Sequence, residues 1–207
     1  MDTSKEFLLF LHGWGGNEDS FEPILPFFRR GFTCLTPSFI PKHPWCIETY
    51  TDLVEAYLDG NNVKKCHIIA HSFGARVTVL LLNRNPDRFD KVVLTGAAGI
   101  RHISLKARWR RLRKRASPDY LAMPLEGRKT FQNIVNRDLT PEIANIKHPT
   151  LLIFGKHDKS IPVSVGRRWR KLLINSELTV YNNSGHFPFI DESSRFIRDV
   201  NDIFSVV

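Results

Sequence analysis

Ser72 stands in the run Ala70, His71, Ser72, Phe73, Gly74. Small residues two positions to either side of a serine, after an apolar run and before a helix-forming one, fit a strand-to-helix turn too tight for larger side chains. Such a turn lifts the hydroxyl clear of the backbone as a nucleophile. Ala70 stands where a glycine is usual, and a serine there also suits a plain helix N-cap, so this turn alone leaves both roles open. A hydroxyl attacks only when a base takes its proton, and that base needs an acid to hold its tautomer and stabilise the imidazolium. Asp158, in Gly155, Lys156, His157, Asp158, follows one later apolar run by four residues, and His186, after Gly185, follows another by five. The order serine, aspartate, histidine is the one expected of a serine at such an elbow. No carboxylate follows the run at 91–95, where Thr95, Gly96 and Ala97 stand, so an acid at that position is excluded.

Attack on a carbonyl makes an oxyanion that needs two preorganised donors. One is expected to be the N–H of Phe73, the residue after the nucleophile. The other should come from the turn His12, Gly13, Trp14, Gly15, Gly16, through the N–H of Trp14, with the indole lining the acyl pocket. Taken without Ser72, Asp158 and His186, that turn reads as an ordinary strand-to-helix connection. It lacks both the dinucleotide spacing and a following Gly-Lys-Ser/Thr, so phosphate cradling fits less well.

The remaining histidines read as structural. His12 shapes the glycine turn, His71 is pinned beside Ser72 in the elbow, and His67 and His71 sit on a strand and a turn that do not pair them as a helix would. His157 reads as a loop residue, and His43, His102 and His148 as surface ones. Neither a metal site nor any other cofactor is expected. Cys34, Cys46 and Cys66 lack metal-site spacing and read as reduced packing residues.

The elements that must position these groups alternate regularly. Strands are expected at 7–11, 33–36, 66–70, 91–95, 150–154 and 178–181, and helices at 20–30, 47–58, 73–85, 162–174 and 193–204. Apolar strands that each lead into a helix define an α/β fold, a doubly wound, mostly parallel six-stranded sheet covered on both faces. All three chemical segments follow strands, at the end of such a sheet where ligands bind. Residues 100–148 are too long for a simple crossover and read as a helical lid inserted into a core formed by 1–99 and 149–207. Leu105, Trp109 and Leu112 recur at i, i+4, i+7 within it, an amphipathic stripe, and Trp109 becomes a candidate substrate contact.

With these residues in place the chain resembles the α/β-hydrolase superfamily over nearly its whole length, in particular its lid-bearing, esterase-like members. The resemblance implies Ser72, Asp158 and His186 as a catalytic triad and the Trp14 and Phe73 N–H groups as the oxyanion hole. Residues 128–141 look like the end of the lid in bacterial members. The His12, Gly13, Trp14, Gly15 turn is similar to that of the pimeloyl acyl-carrier-protein methyl ester esterases. Two features depart from the family. The first strand begins about five residues in, which implies a minimal sheet, and Thr36, Pro37, Ser38, Phe39 replace the usual glycine-rich loop after the second strand.

The net charge of +9 is concentrated: residues 100–148 hold twelve basic and four acidic residues, leaving the rest near neutral. A general nucleic-acid coat fits that distribution poorly. The basic face of the lid, at Arg108, Arg110, Arg111, Arg113 and Lys114, reads either as a solvated surface or as a dock for an acidic partner. By the resemblance, that partner is an acyl carrier protein. Anionic lipid fits less well, and nucleic acid least. No run reaches the length of a membrane span, and the first apolar run is too short for a signal-peptide core, so a cytoplasmic protein is expected. Three functions stay open: a serine hydrolase of carboxylic esters or thioesters, a carbon–carbon bond hydrolase with the same triad, and a non-catalytic binding protein that uses the basic lid.

Overall fold

The computed structural model describes residues 5–38, 45–101 and 123–204. Six strands, β1 (Glu6–Leu11), β2 (Phe32–Leu35), β3 (Cys66–His71), β4 (Phe89–Thr95), β5 (Thr150–Gly155) and β6 (Ser176–Tyr181), form one sheet in the order β2-β1-β3-β4-β5-β6. Every neighbouring pair is parallel. Winding runs from β1 outward to β2 and then returns to β3 on the other side, so the direction reverses between β1 and β3. The crevice beyond the carboxyl ends of those two strands is where such a sheet binds its ligand.

Strand residues alternate between two cores, as the pleat requires. Leu9, Leu11, Ile68, Ala70, Val92, Leu94, Leu152 and Phe154 face one core with α2 (Ile47–Gly60), α3 (Phe73–Arg84) and α6 (Val163–Leu172). Leu8, Phe10, Ile69, Val93, Leu151 and Ile153 face the other with α1 (Leu25–Phe28), α7 (Pro188–Asp191) and α8 (Ser193–Phe204). Burial on both faces is why the strands read as continuous apolar runs.

The expected helix at 20–30 is corrected to a single turn at Glu18–Phe21 followed by the four-residue α1. Pro23 and Pro26 each lack an N–H and clash with the preceding turn, so one continuous helix cannot form there. Elsewhere the observed boundaries lie within two residues of those expected. Among the described residues no helix is long and apolar enough to cross a membrane.

Residues 102–122 lie outside the described residues, and with them the stripe Leu105, Trp109, Leu112 and the basic positions Arg108, Arg110, Arg111, Arg113 and Lys114. The described remainder of the expected lid holds α4 (Leu125–Asn136) and α5 (Thr140–Ala144). Ile134, Leu139, Ile143 and Ile146 belong to the same buried cluster as α3 and Trp169, so this part is integral to the core. Its main tie to α3 is Arg76, a buried cation whose Nη1 donates to the Ile134 and Arg137 carbonyls, both at 2.9 Å. These carbonyls close α4, where the helix dipole is negative and a cation is favoured.

Candidate active site

Ser72 adopts φ 48° and ψ −105°. A positive φ in a residue with a side chain is strained and must be held by its surroundings. Here the Ser72 N–H donates to the Thr95 carbonyl at 2.9 Å, and the Ser72 carbonyl accepts from Ala98 at 3.1 Å and Ala75 at 3.2 Å. The small flanking residues follow from the same turn. A Cβ on Gly74 would stand 2.3 Å from the Leu11 carbonyl oxygen, whereas the Ala70 methyl fits inside the core of β3. Ser72 occupies the N-cap position of α3, yet its side chain makes no capping hydrogen bond, so its hydroxyl is not committed to that role.

Asp158 and His186 come together from the ends of β5 and β6. His186 Nδ1 donates to Asp158 Oδ2 at 2.6 Å. The other carboxylate oxygen accepts the N–H groups of Ser160 at 2.7 Å and Ile161 at 2.8 Å, and the Asp158 side chain is fully shielded from solvent. A carboxylate held at both oxygens fixes the imidazole with its proton on Nδ1 and leaves Nε2 as the basic nitrogen. The loop carrying His186 is pinned in turn. His157 N–H donates to the Ser184 carbonyl at 3.0 Å, and Gly185 N–H donates to Asp191 at 2.7 Å. Gly96, at φ +52°, is what lets the imidazole lie against the end of β4: a Cβ there would be 3.2 Å from the ring.

Ser72 and His186 line one cavity of about 360 Å³, with the turn at 13–16, Ser20, Phe21, His71, Phe187, Phe189 and Ile190. Trp14 stands at its edge, its ring 5.7 Å from Phe73 and 5.4 Å from Phe131 of α4. Among the described residues neither the Trp14 N–H nor the Phe73 N–H has an acceptor. His12 bonds the Gly13 carbonyl through Nδ1 at 2.8 Å, and burial lowers its pKa. His67 meets Glu6 at 3.3 Å and stacks on Phe204. His148 reaches the Pro86 carbonyl. His43 and His102 lie outside the described residues. Burial pushes the Cys34 thiol up to about 11 and the Cys66 thiol up to about 12, and all three cysteines are free. Among the described residues no group of three potential ligands is placed to hold a metal.

Sequence reasoning missed the wall formed by Phe187, Phe189 and Ile190. Its signal is the run Phe187, Pro188, Phe189, Ile190 directly after His186, where α7 begins and turns aromatic side chains back over the site. Arg76 was missed as well, because a basic residue near a helix start gives no hint that the fold will bury it.

A sequence profile of the alpha/beta hydrolase fold family matches residues 6–124 and 113–193. The chain belongs to that family, and it is a hydrolase. A 2-hydroxy-6-oxononadienedioate/2-hydroxy-6-oxononatrienedioate hydrolase of Pseudomonas putida is 24% identical over 98% of this chain and 88% of its own length. A strigolactone esterase of Pisum sativum is 27% identical over 46% of this chain and 40% of its own. The solved meta-cleavage product hydrolase CumD of Pseudomonas fluorescens superposes with a TM-score of 0.79 at 20% identity, covering 98% of this chain and 91% of that one.

Proposed function

We propose that the protein hydrolyses carboxylic esters or thioesters through an acyl-enzyme. The observation that carries this reading is the 2.6 Å His186–Asp158 contact sharing a cavity with a serine held at φ 48°. Ser72 Oγ attacks the carbonyl while its proton passes to His186 Nε2. Asp158 stabilises the imidazolium, and the Trp14 and Phe73 N–H groups receive the oxyanion. His186 then protonates the departing alcohol or thiol. Water, deprotonated by the same nitrogen, releases the acid and restores Ser72. Within this class, an acyl group on an acidic carrier fits the twelve basic residues of 100–148.

A second reading, carbon–carbon bond hydrolysis with the same three residues, is favoured by the Pseudomonas relatives. Among the described residues, the cavity walls tell against a dicarboxylate like that named for the P. putida enzyme. Trp14, Phe21, Phe187, Phe189 and Ile190 are uncharged, and desolvating an anion against such a surface is costly. A fluorophosphonate probe followed by intact-mass measurement tests the first reading: one adduct is expected on the wild type and none on Ser72→Ala. No wild-type adduct, or equal labelling of both, overturns it. Acyl esters of increasing length then separate the two hydrolase readings, since a carbon–carbon hydrolase should turn over simple esters poorly.

A further inference from the structure

β3 ends in a second imidazole that the chemistry above leaves unused. His71 is 3% exposed, and its ring lies 4.7 Å from that of His186 and 4.9 Å from that of Phe187. Nδ1 stands 3.1 Å from the Thr95 carbonyl oxygen. A backbone carbonyl can only accept, so the proton sits on Nδ1 and Nε2 of the neutral ring is a bare acceptor. Burial, and then the neighbouring His186, push the pKa of His71 down to about 3, so the ring stays neutral. Among the described residues nothing donates to Nε2, although His71 lines the same cavity as Ser72 and His186. The bare backbone at position 13 matters here: a Cβ on Gly13 would stand 2.9 Å from His71 Cδ2 and 3.4 Å from Nε2, covering that edge of the ring.

We propose that His71 Nε2 determines specificity by accepting a hydrogen bond from an O–H or N–H that the substrate carries near its scissile carbonyl. Hydroxy- or amido-substituted acyl esters are then preferred over plain alkyl ones. Nε2 opens onto the cavity, so a ligand that fills the cavity without a donor strips this acceptor of water and leaves it unpaired, and a ligand that supplies the donor is selected over such an analogue. The substrate side of this inference rests on the hydrolase reading; the tautomer does not.

The test compares nitrophenyl esters of β-hydroxybutyrate and butyrate on the wild type and on His71→Phe. The wild type should favour the hydroxylated ester by about tenfold in kcat/KM, the worth of one neutral hydrogen bond, and the variant's ratio should fall close to one. A wild-type ratio of one, or the same ratio in both proteins, overturns the proposal. Nitrogen-15 NMR of histidine in the wild type reads the tautomer without any turnover. The Nδ1–H form is expected at His71, with Nε2 shifting on addition of β-hydroxybutyrate but not of butyrate. An Nε2–H tautomer, or equal shifts with both acids, sinks the proposal even if Ser72 is labelled. Failure of the hydrolase reading shows instead as an unlabelled Ser72 with no ester turned over.

Discussion

Gly155 offers a direct test of whether the His186 loop is held as tightly as its hydrogen bonds imply. A Cβ added at this position, the last of β5, would stand 1.9 Å from the Gly185 carbonyl oxygen and 2.5 Å from that of Ser184. Both are backbone atoms and cannot rotate aside. In Gly155→Ala the loop must therefore retreat by about 1.1 Å to reach the 3.0 Å at which real contacts begin. His186 is the next residue, and its 2.6 Å bond to Asp158 sits at the same junction. A misplacement of about 1 Å typically costs about 100-fold in rate. Overpacking of this kind costs about 1–3 kcal/mol, which lowers the melting temperature by roughly 2–12 °C in a domain of this size. The assay is kcat/KM on a short acyl ester together with a thermal melt. Gly60→Ala serves as control, because an added Cβ there meets no atom within 4 Å, and it should leave activity unchanged. If Gly155→Ala keeps kcat/KM within threefold of wild type and melts at the same temperature, the loop is slack and the geometric argument for a fixed acid and base fails.

Two further substitutions probe buried polar groups. Arg76→Met removes the donor to the Ile134 and Arg137 carbonyls. Charge-assisted bonds are each worth about 1.5–3 kcal/mol, partly offset by relief of the cation's burial, so a loss of about 3 kcal/mol is expected, with faster hydrogen exchange in α4. Unchanged exchange in α4 would remove Arg76 as its anchor. His71 makes stability depend on pH. Its folded pKa lies at about 3, below the ordinary value of 6.5, so between those limits the unfolded chain takes up a proton that the folded protein refuses. Stability is full above pH 6.5 and falls with acidification by up to about 1.4 kcal/mol per pH unit, and burial of His12 acts in the same direction. Urea unfolding of His71→Phe across that range should give a shallower slope than the wild type, and equal slopes would refute the assignment.

The strand-to-helix elbow is legible in sequence because its spacing is local. Ala70 and Gly74 flank Ser72 at fixed spacing, and that spacing shows in sequence even though the atom that forbids a side chain at Gly74, the Leu11 carbonyl, lies on another strand. The pairing of Asp158 with His186 is a step less local, yet chain order and their placement just after apolar runs suffice to nominate both, because a parallel sheet brings its strand ends to one edge. Periodicity predicts a helix at 20–30, and Pro23 and Pro26 interrupt it. Local spacing places His71 in the elbow and assigns it nothing further. Its identity as a neutral acceptor depends on the Thr95 carbonyl, twenty-four residues away on β4, and on Gly13 across the crevice, neither of which local spacing can reveal.

The charge of 100–148 first reads as a surface property remote from catalysis, but the fold ties that segment to the site by two physical routes. Arg76 joins the end of α4 to α3, the helix that follows Ser72, and Phe131 of α4 packs against Trp14, whose N–H is the proposed oxyanion donor. Thr130, one residue earlier, accepts from the Trp45 N–H at 3.0 Å and fastens the start of α2 to α4 as well. A shift of α4 is therefore resisted by Arg76 and Thr130 and felt at Trp14. Weakening either anchor, at Arg76 or at Thr130, should therefore loosen the oxyanion turn through Phe131 and lower kcat on short esters while leaving the Asp158–His186 pair in place.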